Sequence, residues 1–478
     1  MTSRLALVGL VGILLVGGLT GGELYRNEGL RARLAWEAFH SGEWLVPSLY
    51  GEPHLTKPPG MSALIGLCSL PWGEVTPLTA RFPSILAGLL AISLVGWSVA
   101  RAAGPRAGWL AAVMLPCCPL WLDRVPSAEI DLVQLAWVTA ALLLLNEALQ
   151  TDRWSAWLGA FLCVTGGFFT KWTAPGFFYL TLLPLLYWRG ELRRLCSLRH
   201  LTGLTLLVCL AGLWLALVAR STGLAPLGET LSREAFLRLS PGHHPRPYPW
   251  DELATFPLGF LAGCLPWAIL VPVALRPSFA SQLTPRGYAL WQLALVWAIS
   301  SLVFWTLAPG HRPRHILPAQ PAIVLLAALV AEAWLAGQVS LRLPARPVLV
   351  GCCLFWLGIK LAWVMVVVPA RNADRMLAET AARLRQLVPE AESLHLLRLK
   401  DDGLLFYYGR TARRRTTMEA TSAGWWLVTG AERATLAAPV IATLRDGQGD
   451  QLYLVHRTPQ TSHLAGDPCR TDLPLSKE

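Results

Sequence analysis

Residues 201–219 read Leu201-Thr202-Gly203-Leu204-Thr205-Leu206-Leu207-Val208-Cys209-Leu210-Ala211-Gly212-Leu213-Trp214-Leu215-Ala216-Leu217-Val218-Ala219, without one charged side chain. As a helix rising 1.5 Å per residue, this stretch is about 28 Å long, close to the ~30 Å hydrocarbon core of a bilayer. Arg199 and Arg220 bracket it. Comparable apolar stretches lie near 4–22, 82–100, 107–122, 130–149, 154–170, 175–187, 254–275, 287–308, 316–336 and 348–369, giving eleven candidate spans. The run 59–72 is shorter and follows Pro58-Pro59, so it reads as an interfacial or re-entrant helix. The first span is read as a membrane anchor, because Gly21-Gly22-Glu23 is a poor signal-peptide cleavage site.

The composition agrees. Of 478 residues, 54% are hydrophobic and only 15% charged, against about 25% charged in soluble domains. A water-soluble enzyme of one or two domains is excluded. The net charge of +11 does not signal a nucleic-acid partner. Residues 370–478 are nearly neutral, and the excess lies in residues 1–369, where cytoplasmic loops of a membrane protein carry it. The ten cysteines show no paired spacing, so neither a disulfide framework nor a zinc pattern is expected.

With the N-terminus inside, the short loops 101–106, 150–153, 188–200, 276–286 and 337–347, together with Arg4, hold 12 Lys/Arg. The outer loops are longer and hold most of the acids. This positive-inside asymmetry predicts a plasma-membrane (bacterial inner-membrane) protein with a cytoplasmic N-terminus and an extracytoplasmic C-terminus. Two outer loops are long, 23–81 and 220–253, and long loops that keep aromatic residues are usually functional. In the first, Leu30, Leu34, Ala38 and Phe39 fall on one helical face, which predicts an amphipathic helix lying flat on the membrane surface. The domain reading is a membrane region over 1–370 and a small periplasmic α/β domain over 371–478. In the latter, 373–387 is read as a helix. Leu394–Leu399, Leu404–Tyr408, Trp425–Thr429 and Gln451–His456 are read as strands.

Polar residues gather on the outer side. Glu23, Glu28, Glu37, Glu43, Glu52 and Glu74 lie in 23–74, and Asp123, Glu129 and Asp131 in 123–131. Solvated loop charge is the reading for Glu37, Glu43 and Glu74. Glu28 and Asp131 are read as functional, because ionisable groups at membrane depth face a cavity or a partner. Two of only five lysines, Lys57 and Lys171, stand at the same interface, as do Arg238, His243, His244, Arg312, Arg314 and His315. A phosphorylated lipid would place its headgroup among such cations, and a carboxylate there would serve as general base.

These residues resemble a known family. Asn27-Glu28, Ser41-Gly42-Glu43-Trp44-Leu45-Val46-Pro47, Gly51-Glu52-Pro53, Lys57-Pro58-Pro59 and Ala80-Arg81-Phe82-Pro83-Ser84 are similar to the first periplasmic loop of the ArnT and protein O-mannosyltransferase-like glycosyltransferases. Asp131, Thr170-Lys171 and Arg312-Pro313-Arg314-His315-Ile316-Leu317-Pro318 continue the likeness. The resemblance implies a GT-C fold of about 11–13 transmembrane helices. It also implies transfer of a sugar from a polyprenyl-monophosphate donor to a lipid, glycan or protein acceptor. In the family an Asp-Glu pair opens this loop and the Asp is the proposed base. Here Asn27 takes that position, and Asn accepts no proton. Glu28 or Glu23 would then take over, or the acceptor is already anionic. Thr56 stands where the family often has Glu before Lys-Pro, which removes a candidate metal ligand. A divalent cation is left open and no metal ligand is assigned.

The resulting assignment places Glu28, Asn27, Glu23 and Asp131 in catalysis, with Asp131 holding the loop or the sugar. Lys57, Lys171, Arg312, Arg314 and His315 are assigned to the donor phosphate. Glu129, Arg238, His243 and His244 are assigned to the remaining substrate contacts. The rival readings are a polytopic transporter or lipid flippase and a catalytically lapsed membrane scaffold.

Overall fold

The computed structural model describes residues 2–122, 124–237, 250, 252–308, 312–415, 423–433 and 439–457. This is a multi-pass membrane protein. Among the described residues six helical runs are long and apolar enough to cross a bilayer: Pro77–Ala103, Ile130–Thr151, Leu198–Thr222, Pro285–Leu307, Pro313–Leu335 and Ala345–Leu387. A seventh is broken, with Glu252–Gly263 and Trp267–Ala274 meeting at 103°. Pro266 stands at that break and has no backbone N–H to continue the helical ladder.

The remaining apolar stretches form shorter helices, among them Thr2–Val16, Pro105–Met114, Trp154–Thr170 and Ala174–Arg189. A run such as 107–122 looks continuous in hydropathy, yet its helix closes at Met114, just ahead of Pro116. Burial separates central from peripheral helices. The apolar windows of Pro313–Leu335 and Ile130–Thr151 are 94% and 83% buried, those of Leu198–Thr222 and Ala345–Leu387 only 22% and 11%. The first pair forms the core and the second pair leaves its apolar face for lipid.

Above the spans lies the helix Asn27–Ser41, and its role differs from the expected one. It does not lie flat on lipid. Its nominally polar positions Arg31, Arg33 and Glu37 are buried together with Leu34, Ala35 and Ala38. One side packs on the helix Gly60–Ser69 and the other on the helix Asp402–Tyr408. A Cβ at Gly29 would stand 2.5 Å from the backbone N and Cα of Gly403, so only glycine permits this approach. Arg33, 1% exposed, donates to Glu37 Oε1 at 2.9 Å and to the carbonyls of Leu405 at 3.0 Å and Arg410 at 3.1 Å. The Glu37 carboxylate accepts from the Tyr50 backbone N–H at 3.0 Å and the Ser48 hydroxyl at 3.2 Å. Glu37 is therefore a buried structural acid and not a solvated loop charge.

Residues 48–53 form a hairpin, β1 (Ser48–Leu49) and β2 (Glu52–Pro53). The C-terminal sheet consists of β3 (Leu394–Leu396), β4 (Ala412–Arg414), β5 (Gly424–Thr429), β6 (Val440–Arg445) and β7 (Gln451–Arg457), in spatial order β4-β3-β5-β7-β6. The strand β3 runs parallel to β4 and β5, whereas β7 is antiparallel to β5 and β6.

One expectation fails here. Residues 404–408 are helical, because Asp401 accepts from the Leu404 N–H at 3.0 Å and starts a helix over Asp402–Tyr408. A short apolar run does not distinguish strand from buried helix. The expected helix 373–387 is present with one break: residues 373–375 close the helix Val368–Arg375, Met376 turns to φ 48°, and the helix Leu377–Leu387 follows, its Leu377 and Ala378 N–H groups donating to the Glu23 carboxylate. The core under this sheet is shared. Leu34, Leu49 and Tyr50 from the first loop pack with Leu377, Leu384, Leu394, Leu404 and Leu427.

Removing the Arg33 cation strands the Glu37 carboxylate in that shared core. Arg33→Met is expected to cost about 3–5 kcal/mol, measured as a lowered midpoint of denaturant unfolding in the purified protein. An unchanged midpoint would remove Arg33 from the interlock.

Candidate functional site

Three chain segments build a polar cavity at one end of the central helices. The Trp154–Thr170 helix ends at Lys171, whose backbone turns extended. Gly60 lies so close to this turn that a Cβ there would meet the Phe169 carbonyl oxygen at 2.6 Å. Lys57, ahead of Pro58-Pro59, is thereby brought alongside. Asp131 occupies the first turn of Ile130–Thr151, where the helix N-terminus favours a carboxylate. Its Oδ1 accepts from Lys171 Nζ at 2.8 Å, with both side chains buried.

The cavity encloses ≈ 250 Å³ and is lined by Asn27, Arg31, Thr56, Lys57, Glu129, Ile130, Asp131, Lys171, Glu234, Arg314 and His315. Each of its acids has a cationic partner. Asp131 pairs with Lys171 at 2.8 Å, Glu234 with Lys57 at 2.5 Å, and Glu129 with Arg124 at 2.6 Å. Arg31 and Arg314 also line the wall, and among the described residues neither guanidinium makes a hydrogen bond or ion pair. Burial lowers the pKa of Arg31 despite the nearby Asp131 and Glu129 carboxylates. Burial raises the pKa of Glu129 although Arg124 opposes it, which moves this carboxyl toward the range of a general base. The electrostatic balance favours an anionic guest, because Lys57 and Lys171 are matched by Glu234 and Asp131, Glu129 by Arg124, and Arg31 and Arg314 add two further cations to the wall.

The cavity continues into apolar space. Lys57, Lys171, Glu234 and His315 also border a chamber of ≈ 280 Å³ walled by Trp172, Phe177, Leu180, Phe304 and Trp305. Through Gly176, Leu180, Phe304 and Ala308 that chamber adjoins a groove of ≈ 980 Å³ between the helices Ala174–Arg189 and Pro285–Leu307. A phosphate headgroup with a long hydrocarbon tail matches this sequence of environments.

Of the residues assigned from sequence, Asn27, Lys57, Glu129, Asp131, Lys171, Arg314 and His315 meet in the cavity. Glu28 and Glu23 do not. Glu28 accepts from Arg81 Nε at 3.1 Å and from the Ala128 N–H at 2.8 Å. Glu23 caps the helix Leu377–Leu387, and both acids line a separate pocket. Adjacent residues of a helix project about 100° apart, so Asn27 and Glu28 open into different spaces. Arg312 is exposed and does not line the cavity. Arg238, His243 and His244, like Asp123, lie outside the described residues. Arg31 and Glu234 went unassigned from sequence. Glu234 belongs to the long 220–253 loop, and that length was the available signal.

A divalent cation does not fit this donor set. Among the described residues no group of three or more His, Cys, Asp or Glu side chains gathers, and the cavity's carboxylates are each engaged by a cation.

Residues 56–216 match the family model described as dolichyl-phosphate-mannose-protein mannosyltransferase. Over 328 residues the chain is 30% identical to the undecaprenyl phosphate-alpha-4-amino-4-deoxy-L-arabinose arabinosyl transferase of Pseudomonas aeruginosa (strain UCBPP-PA14), covering 65% of this chain and 56% of that protein. Against the protein of the same name from Pectobacterium carotovorum subsp. carotovorum (strain PC1), it is 26% identical over 314 residues, 64% of this chain and 54% of the relative. The chain thus matches little more than half the length of these curated relatives. Among solved structures, ArnT from Cupriavidus metallidurans bound to undecaprenyl phosphate superposes with a TM-score of 0.78 at 17% identity, over 97% of this chain and 99% of that one. The archaeal oligosaccharyltransferase AglB from Archaeoglobus fulgidus gives 0.54 at 12% identity, over 88% and 65%. At these identities the likeness establishes the fold, which is GT-C.

Two ionisable groups beside the cavity set opposite pH trends. Burial, with Arg31, Lys57 and Arg414 adding to it, lowers the His54 pKa from 6.5 to about 3. The folded protein then takes up this proton less readily than the unfolded chain, and stability falls as pH drops from 6.5 toward 3. Burial raises Asp402 from 3.8 to about 6, so its contribution to stability grows as pH falls through that interval. Unfolding midpoints measured against pH should lose the first slope in His54→Gln and the second in Asp402→Asn. Unchanged slopes in both variants would contradict these burial effects.

Proposed function

We propose that the chain is a member of the ArnT-like glycosyltransferases and moves a sugar from a polyprenyl-monophosphate carrier to an acceptor on the extracytoplasmic face. The observation that carries this reading is the continuity of a cation-lined cavity with an apolar chamber and groove. The relatives named for undecaprenyl-phosphate-linked arabinose transfer, and an ArnT structure holding undecaprenyl phosphate, support the same carrier class. The positive-inside pattern supports an outer location for the cavity, with the N-terminus in the cytoplasm and the sheet of β3–β7 outside.

In this mechanism the donor's phosphate sits among Arg31, Arg314, Lys57 and Lys171, with His315 at its edge, and its tail follows the groove. The acceptor oxygen attacks the sugar's anomeric carbon. A carbon–oxygen bond forms there as the bond to the phosphate oxygen breaks, and the electron pair leaves on the phosphate. Fixed cations stabilise that growing charge without reorganising. A phosphate leaving group needs no proton, so one base suffices. Glu129 is the base we assign. It shares the cavity with Asn27, and its burial raises its proton affinity. It would take the proton of a hydroxyl acceptor and then release that proton to solvent. Asp131 holds Lys171 in place, and Glu28 braces Arg81.

The test supplies purified protein in lipid with polyprenyl-phosphate-linked sugars and a membrane extract as acceptor, and follows release of free polyprenyl phosphate. Glu129→Gln should lower the rate by about 10²–10⁴-fold, the usual loss of a general base. Glu28→Gln should retain far more activity than Glu129→Gln. The reverse ranking would return the base to Glu28, and no release with any donor would overturn the glycosyltransferase reading.

A further inference from the structure

Of the three carboxylates that line the cavity, Glu234 stands apart. Asp131 lies in the first turn of Ile130–Thr151 and Glu129 directly precedes it. Glu234 comes instead from the long 220–253 loop and meets Lys57 across 177 residues of chain. The Lys57 and Glu234 side chains are 13% and 10% exposed. The Glu234 oxygen lies 2.5 Å from the Lys57 ammonium nitrogen, which also donates to the Thr56 carbonyl at 2.9 Å. Trp172 Nε1 donates to that same carbonyl at 3.1 Å. The ammonium is therefore held in one place and already faces an anion.

Local structure delivers the carboxylate to this point. The helix Leu224–Leu231 places Leu227 and Leu231 in one apolar cluster with Trp214, Trp172 and Leu55. The next residues, Ser232–Leu237, wind as a π-helix, a rare form that recurs at functional sites. Glu234 then stands at a junction. With Lys57, Lys171 and His315 it lines both the polar cavity and the apolar chamber beside it. A headgroup whose tail leaves through that chamber passes this junction. A phosphate that reaches Lys57 therefore comes beside the Glu234 carboxylate.

That adjacency separates two carriers of different charge. A polyprenyl-phosphate sugar is a phosphodiester and carries one negative charge. Once the sugar has left, the same carrier is a phosphomonoester, close to doubly charged near pH 7 because its second pKa is about 6. Coulomb repulsion grows in proportion to the guest's charge, so a fixed carboxylate opposes the spent carrier about twice as strongly as the loaded one. The cations of the wall do the reverse, and alone they would hold the dianion more tightly and leave the enzyme filled with its own product. We propose that Glu234 is a specificity residue that offsets this preference, so that the cavity keeps the loaded carrier and gives up the spent one. Resting on the glycosyltransferase reading above, this role concerns release of the carrier and not the transfer step.

Binding of undecaprenyl phosphate and of its monomethyl phosphodiester to the purified full chain in lipid nanodiscs tests it. The two lipids share one tail and differ in charge. Wild type should hold both with affinities within about threefold of each other, whereas Glu234→Gln should favour the monoester by about tenfold or more. Glu234→Asp keeps the charge and should keep the wild-type ratio, which a role in packing alone would not predict. During turnover, added undecaprenyl phosphate should inhibit Glu234→Gln at lower concentration than wild type. Glu234→Ser is a second uncharged variant with the same expected ratio, and an unchanged melting midpoint certifies the fold of each. A wild type that favours the monoester by about tenfold, or a ratio indifferent to Glu234, would overturn the proposal and leave carrier binding intact. Binding of neither lipid by wild type would overturn the glycosyltransferase reading together with it.

Discussion

The ion pair between Asp131 and Lys171 is the constraint on which the cavity end of the molecule depends. A carboxylate and an ammonium, 3% and 8% exposed, stand at the mouth of the most polar space in a bundle otherwise built from apolar side chains. Burying either charge alone costs several kcal/mol. Each is tolerable only because the turn after Thr170 delivers Lys171 to the first turn of Ile130–Thr151. That turn is in turn pinned by Gly60, which draws Lys57 and its prolines into the same wall. One pairing requirement therefore sets the register of two spans and a loop, and the cavity is the space left between them.

A second consequence concerns the region above the spans. The helix Asn27–Ser41 has a buried arginine on each of two faces, Arg31 toward the cavity and Arg33 toward the C-terminal sheet. The Tyr50 hydroxyl reaches Asp402 at 2.5 Å, and the Leu24 N–H donates to the Tyr407 hydroxyl at 2.9 Å. The sheet and its helices are thus keyed to the loop that supplies Asn27, Arg31 and Lys57. Anything that shifts the C-terminal region is transmitted to the cavity wall through packed side chains and not through a flexible tether.

Much of this was legible in the sequence, for identifiable reasons. Membrane class followed from uncharged runs such as 201–219, since hydrocarbon tolerates little else. Asp131, Lys57, Lys171 and Arg314 stood out because charge at a span's mouth is costly, whereas Asn27 was singled out only by the likeness of its loop to the ArnT-like glycosyltransferases. What failed to show was direction. Hydropathy does not reveal that Glu28 turns away from Asn27 toward Arg81, or that the polar side of 27–41 is covered by the Asp402–Tyr408 helix. Those facts arise from contacts more than 50 residues away in sequence, Glu28 with Arg81 and Arg33 with Leu405 among them. Glu234 escaped for a similar reason: nothing near it in sequence announces Lys57.

The central claim is that a phosphate headgroup rests among Arg31, Arg314 and Lys171 while its hydrocarbon tail runs between Ala174–Arg189 and Pro285–Leu307. Electron cryomicroscopy of the protein in lipid with undecaprenyl phosphate added addresses it directly. Density for the phosphate within hydrogen-bonding distance of the two arginines, continuous with a tail in that groove, is the predicted result. A cavity filled only by solvent, with the carrier bound elsewhere on the bundle, would contradict it.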